Sequence, residues 1–176
     1  MVRVKLRTIR EFRAGNKEAF DEIFYAYRDI IYYMSYYYVK NYDDANDCVQ
    51  EVFIRLIKKI NLFDEHKSSF NSWFYLLARH SILNVVREQI HRRNNYYLDE
   101  EAVANAPQIE NRELKFILQD LEDRLGKTKY IIYIFRTAYK ITFENIAIML
   151  DLNREKVRRL YCEAVKLVIK YMEEDN

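Results

Sequence analysis

Glycine and proline are nearly missing from this chain of 176 residues, which has only Gly15, Gly126 and Pro107. Typical usage is about 7% glycine and 5% proline, and hairpin-rich β folds need both at their tight turns. The chain is therefore predicted to be all-α. Two glycines so far apart in sequence cannot build a dinucleotide fingerprint or a phosphate-cradling P-loop, each of which needs closely spaced glycines. Enzymes of those two designs are excluded. Cysteine is scarce as well: Cys48 and Cys162 stand in distant segments without CxxC or Cys/His spacing, so neither a disulfide framework nor a zinc site is indicated. Long apolar runs are lacking. Residues 30–39 form the most apolar-looking early run, yet it is rich in tyrosine hydroxyls and far shorter than the ~18 residues that span a bilayer. The N-terminus shows no apolar signal region with a small-residue cleavage site, and a cytoplasmic address is expected.

What the chain does have is a folded protein's mixture, 50% hydrophobic and 32% charged, with 16 tyrosines. Its net charge of +2 is spread unevenly. Residues 1–95 carry 16 basic against 12 acidic side chains, residues 96–126 carry 3 against 8, and residues 127–176 carry 10 against 7. Helical periodicity fails within the acidic stretch, which also holds Pro107. Residues 94–109 are accordingly read as a linker between a helical domain at 1–93 and a second at 110–176.

In the first domain, Phe20, Ile23, Phe24, Tyr27, Ile31 and Met34 form one helical stripe. Ala45, Cys48, Val49, Val52, Phe53, Leu56, Ile57 and Ile60 form another. The second helix opens with Asp43, Asp44 and Asp47 and ends with Lys58 and Lys59, as a helix dipole favours. That acidic cluster reads as a helix start rather than a metal site. At 100° per residue, Ile54 falls opposite the apolar stripe, beside Asp47, Gln50, Glu51 and Lys58. An apolar residue on a wet face suggests a partner, although single exposed isoleucines are common. A polar loop at 62–69 follows, with Ser68 or Ser69 capping a helix from Phe70. This helix buries Phe70, Phe74, Leu77, Ile82 and Val85 or Val86. His80, Asn84, Arg87 and His91 line another face that ends in a basic tail, Arg92 and Arg93, suited to phosphates. His80 and His91 lie about 16 Å apart along the helix, too far to share a metal, and His80 alone reads first as an ordinary surface or core-edge histidine.

The second domain reads as helices at 110–124 and 127–139, broken at Gly126. A short helix capped by Thr142 and a longer one after the turn Asp151, Leu152 and Asn153 follow. That pattern suggests a helix-turn-helix. Arg154, Lys156, Arg158 and Arg159 face outward near the start of the last helix, where DNA-reading side chains reach base edges and phosphates. A simply solvated basic face is the alternative.

Taken in order, three motifs resemble bacterial RNA polymerase sigma factors of the extracytoplasmic-function (ECF) type, in the sigma-70 family. Residues 43–56, DDANDCVQEVFIRL, resemble the family's "DAEDxVQEVFxRxW" helix, and residues 69–80, SFNSWFYLLARH, its "gSFrsWLyrIARN" helix. Residues 141–150, ITFENIAIML, are similar to its "LSYEEIAEILG" segment. The resemblance covers about Phe20 to Met172. It implies a sigma region 2-like helical bundle and a sigma region 4-like helix-turn-helix. It also implies that Asp47, Gln50, Glu51, Ile54 and Arg55 meet the clamp helices of core RNA polymerase, with further contacts to the second-largest subunit. Phe63, Lys67, Phe70, His80, Asn84 and Arg87 would take the minus-10 promoter element and a base flipped from it, whose unstacking a fitted pocket must offset. Lys156, Arg158, Arg159, Cys162 and Glu163 would read the minus-35 element in duplex promoter DNA. The connector would thread into the polymerase. Neither a cofactor nor a metal is implied, and an anti-sigma factor is a further candidate partner.

The chain departs from the family pattern at several places. His80 stands where the family usually has asparagine, Asp151 where glycine is common at the turn, and Glu163 where a basic residue is frequent. The tyrosine-rich run 32–38 replaces residues often Arg or Leu. The function read from these features is that of a non-enzymatic specificity subunit. The alternative is an autonomous helix-turn-helix or phage-type sigma-like activator that binds duplex DNA without core polymerase. A nuclease or recombinase lacks a catalytic set.

Overall fold

The computed structural model describes residues 4–39, 41–95 and 112–174, without the side chains of residues 42, 89–95, 112–117 and 174. Every regular element among them is helical, as the shortage of turn-forming residues predicts. The chain divides into two compact units, Met1–Ala104 and Asn105–Asn176. Most of the expected linker, with Pro107, and the side chains of the basic tail at 91–93 lie outside the described residues.

The first unit contains α1 (Leu6–Arg13), α2 (Lys17–Val39), α3 (Tyr42–Lys59), a 3-10 turn (Ile60–Leu62) and α4 (Phe70–Asn95). Helix α1, which periodicity did not reveal, buries Thr8, Ile9 and Phe12. The chain reverses after it through Gly15 at φ +90, a conformation that a Cβ would strain. Helix α2 buries Ile23, Tyr27, Ile30, Ile31 and Met34, close to the expected stripe. The Tyr27 hydroxyl donates to Asn71 Oδ1 on α4, which satisfies a polar group that burial would otherwise penalise. Burial pushes the Tyr27 phenol well above its ordinary value.

Helix α3 starts at Asn41, whose Oδ1 accepts from the Asp43 and Asp44 amides at 2.8 and 3.3 Å, an N-cap. Its core face is Ala45, Cys48, Val49, Val52, Phe53 and Leu56, followed by Ile60 in the turn. Ile57 departs from expectation and is 52% exposed. It lies about 120° around the helix from Ala45, so counting it into the stripe carried it past the edge of the buried face. Helix α4 is capped by Ser69, whose Oγ accepts from the Ser72 amide at 3.2 Å. It buries Phe70, Asn71, Phe74, Tyr75, Ala78, Ser81 and Ile82. Aromatic contacts run through the whole unit, from Phe12 to Phe20, Phe53, Phe74, Phe70 and Phe63, with successive ring centroids 5.4 to 6.2 Å apart. The spacing suits aromatic pairs.

The second unit contains α5 (Arg112–Leu125), α6 (Lys127–Thr137), α7 (Phe143–Leu150) and α8 (Arg154–Glu174). Gly126 breaks α5 from α6 at φ +72, its amide donating to Glu122 O at 2.8 Å. Its core is Tyr130, Ile131, Ile132, Phe135, Ile141, Ile146, Met149, Leu150, Val157 and Ala164. Thr142 Oγ1 accepts from the Asn145 amide at 3.2 Å and starts α7. Asp151 ends that helix in the left-handed region, φ 56 and ψ 44. Leu152 N donates to Ala147 O at 3.1 Å, closing a Schellman-type end with aspartate in glycine's usual place. Asn153 Oδ1 then accepts from Lys156 N at 2.7 Å and caps α8. The outcome is a short helix, a three-residue turn and a long second helix.

Candidate functional site

Three surfaces carry the residues singled out by sequence. On α3, Asp47, Gln50 and Ile54 are exposed on the side away from the core, with Ile54 43% exposed. Glu51 and Arg55 sit on the flank and pair with each other, Arg55 Nε to Glu51 Oε1 at 2.6 Å. Exposed Ile57 joins Ile54 one turn along. The wet face of α3 therefore carries two isoleucines, and sequence reading placed one of them in the core. Next to Ile57 lies a groove of about 340 Å3 lined by Phe12, Phe20, Ile60 and Asn61. Arg13 and Lys17 line its edge, so the groove joins an apolar floor to a cationic rim.

The second surface combines the loop 63–69 with α4. A cavity of about 400 Å3 opens there, bordered by Leu6, Glu65, His66, Lys67, Ser68 and Ser69. Phe63 and Phe70 also line it but are only 4% and 5% exposed. Each packs in the aromatic core, Phe63 against Phe70 and Trp73 at 5.4 Å, so they form the cavity's floor. Lys67 is exposed, its Nζ 3.6 Å from Asp64 Oδ2. Asp64 shapes the loop: its Oδ1 accepts from His66 N at 2.9 Å, and its main-chain oxygen accepts from Lys67 N at 3.1 Å. The hydrogen bond from the His66 amide, with Lys67 nearby, holds the Asp64 carboxyl below its ordinary value.

His80 is exposed and shares a face of α4 with half-buried Asn84 and exposed Arg87. Arg87 Nη1 donates to Asn84 Oδ1 at 3.2 Å. Ten residues of helix separate Phe70 from His80, about 15 Å of rise. The loop cavity and the His80 face are thus two successive places along α4, and one base cannot fill both.

Two arginines that sequence reading passed over also reach the loop. Arg13 Nε donates to Ile60 O at 3.1 Å, and its Nη2 donates to Phe63 O. Arg10 Nη2 pairs with Glu65 Oε1 at 2.8 Å. They come from α1, some 50 residues earlier, and local sequence spacing cannot reveal so distant a contact.

The third surface is the outer side of α8. Lys156, Arg158, Arg159 and Cys162 are exposed, while Val157 and Ala164 are buried. Glu163 is half-exposed and bridges two cations: its Oε2 lies 3.3 Å from Lys129 Nζ on α6, and its Oε1 lies 3.8 Å from Arg159 Nε. It divides the outer face, with Lys156 and Arg159 on its side and Arg158 and Cys162 on the other. Cys48, in contrast, is fully buried, and burial, with Asp44, Asp47 and Glu51 nearby, pushes its thiol up to about 12. Among the described residues, no group of three or more His, Cys, Asp or Glu side chains is placed to hold a metal. None of the described helices is long and apolar enough to cross a membrane.

Comparison with known proteins follows the same division. Residues 23–92 match the family described as Sigma-70 region 2. The ECF RNA polymerase sigma factor SigW of Bacillus subtilis (strain 168) is 33% identical over 95 residues, which cover 54% of this chain and 49% of SigW. The ECF RNA polymerase sigma factor BldN of Streptomyces coelicolor is 22% identical over 175 residues, covering 97% of this chain and 66% of BldN. The ECF RNA polymerase sigma factor SigX of Bacillus subtilis is 24% identical over 168 residues, 89% of this chain and 85% of SigX. The chain thus spans about half of SigW and just under two thirds of BldN. Among solved structures, CnrH in complex with the cytosolic domain of CnrY superposes with a TM-score of 0.58 at 14% identity, covering 96% of this chain and 97% of that one. The sigma factor RpoE in complex with the anti-sigma factor NepR, from Bartonella quintana, gives 0.56 at 12% identity, covering 89% and 98%. At such identities the two structures establish likeness of fold.

Proposed function

We infer that this chain, which belongs to the ECF type of the sigma-70 family, is a sigma factor that binds core RNA polymerase and directs it to particular promoters. It is a specificity subunit and performs no bond chemistry of its own. The first unit docks on the polymerase clamp through Asp47, Gln50, Ile54 and Ile57, with Glu51 and Arg55 on the flank, and contacts to the second-largest subunit complete the assembly. The loop 63–69, with Lys67, and the His80, Asn84 and Arg87 face beyond it take the minus-10 element as single strand. The second unit docks α8 in the minus-35 major groove through Lys156, Arg158, Arg159 and Cys162. Glu163 accepts from a cytosine amino group or restrains Arg159 for a guanine. The protein works where core polymerase is found, in the cytoplasm.

The observation that carries this reading is the pair of exposed isoleucines, Ile54 and Ile57, on an otherwise polar helix face inside the Sigma-70 region 2 match. A surface that presents apolar side chains among charges is built for a protein partner. Since RpoE was crystallised with the anti-sigma factor NepR, an anti-sigma protein covering the same stripe belongs to the proposal. The test is reconstitution of the full chain with sigma-free core polymerase. Co-elution with core and protein-dependent transcripts from promoter templates support the reading. A protein that shifts duplex DNA alone but neither binds core nor adds transcripts is instead an autonomous helix-turn-helix activator.

A further inference from the structure

We propose that α1 is a working part of the minus-10 site, with Leu6 as one wall of the loop cavity and Arg13 as the residue that sets the loop's shape. The family match begins at residue 23, so α1 lies wholly before it. The proposal rests on the minus-10 reading given above and extends it to residues outside the matched segment.

Two kinds of contact carry it. Leu6 is 48% exposed and borders the cavity of about 400 Å3 together with His66, Lys67 and Ser68. An apolar side chain left open beside lysine, histidine and serine suits a nucleobase, which has an apolar face and polar edges. Arg13 meanwhile ties down the chain where α3 ends. Its guanidinium donates to Ile60 O and Phe63 O and lies 5.6 Å from the Phe63 ring centroid. A cation that satisfies carbonyls at the end of a helix is favoured there by the dipole, and the fork of guanidinium donors fixes two carbonyls at once. Beyond Phe63 the loop is held by Asp64 through contacts confined to the next four residues, and by the exposed pair of Arg10 and Glu65. Arg13 is therefore the tie that holds main-chain carbonyls and sets where the loop begins. A cavity already shaped before the base arrives avoids the entropic cost of ordering it during binding. Arg13 is a positioning residue, whereas Leu6 touches the bound strand.

The experiment uses the full chain with core polymerase at a concentration that saturates every variant. One probe is a fluorescent single-stranded oligonucleotide carrying the non-template minus-10 sequence of a start site mapped with this protein. The other is a duplex carrying the minus-35 sequence of the same promoter. Leu6→Ala and Arg13→Gln are each expected to weaken single-strand binding by about three- to tenfold while duplex affinity is unchanged. Arg13→Lys, which keeps a cation with fewer fixed donors, recovers part of the loss. Should Arg13→Gln fold poorly, Leu6→Ala decides, because an exposed side chain contributes little to stability. Wild-type single-strand affinity in both variants overturns the proposal, as does an equal loss on both probes. A wild-type holoenzyme that binds no single strand removes the minus-10 reading itself, and the proposal falls with it.

Discussion

Docking on core polymerase should be sensitive to substitution at Ile54, and the expected size follows from its burial. At 43% exposure the side chain has under half of its surface left to bury. Complete burial of an isoleucine is worth ~1.5–3 kcal/mol, so the remaining share in Ile54 comes to roughly 0.6–1.3 kcal/mol. Ile57, at 52% exposure, holds a slightly larger share, roughly 0.8–1.6 kcal/mol. Ile54→Ala should then weaken core binding about three- to ninefold. Ile54→Asp goes further, because a carboxylate carried into a closed interface without a partner costs several kcal/mol, and the loss should exceed about 100-fold. Neither change touches the buried face of α3, which includes Val52, Phe53 and Leu56, but the part of Ile54 already covered in the free protein is lost too, so folding stability should fall by at most about 1–2 kcal/mol. Competition anisotropy with labelled wild-type protein and core polymerase measures the affinity, and thermal unfolding by circular dichroism measures the fold. A folded Ile54→Asp protein with wild-type affinity for core would refute the docking role of this face.

Arg158→Ala should lower affinity for the minus-35 duplex by about 1–3 kcal/mol if the guanidinium reads a base, seen as a loss confined to one position in a base-substitution scan. A uniform loss across sequences marks a phosphate contact instead. Glu163→Gln releases Lys129 and Arg159 from the carboxylate that lies 3.3 and 3.8 Å away. Duplex binding should tighten with less discrimination and a salt slope steeper by about 1 unit, and an unchanged slope would show that neither cation reaches a phosphate. In the folded protein at pH 8, a maleimide should label exposed Cys162 and spare Cys48, whose thiol burial pushes up to about 12. Mass spectrometry showing Cys48 modified at native temperature would contradict the packing of α3.

What sequence made legible follows from how local the signal was. The caps at Ser69 and Thr142 and the left-handed Asp151 were readable because each acts within a few residues of itself. The stripe on α3 was readable except at Ile57, where the 3.6-residue period carried the count off the buried face. Helix α1 has only eight residues, too few for a period to stand out, and its role depends on contacts with a loop some 50 positions away. Burial of Phe70 was legible from the stripe on its helix, but for Phe63 an aromatic residue at a loop edge has the same sequence signature whether it turns outward or into a core. Only its neighbours Phe70 and Trp73 decide it. The tyrosines divide in the same way: Tyr27 and Tyr32 are buried, Tyr36, Tyr37 and Tyr38 are half-buried, and Tyr25 is 71% exposed.

The central claim, that this chain confers promoter choice on core polymerase, is tested most directly by transcription of fragmented genomic DNA with purified core, with and without the full chain, followed by sequencing of the 5′ ends. The account predicts a limited set of protein-dependent start sites that share two upstream elements at fixed spacing, and loss of those starts with Ile54→Asp. Start sites identical with and without the protein, from a preparation that binds duplex DNA unaided, would contradict it.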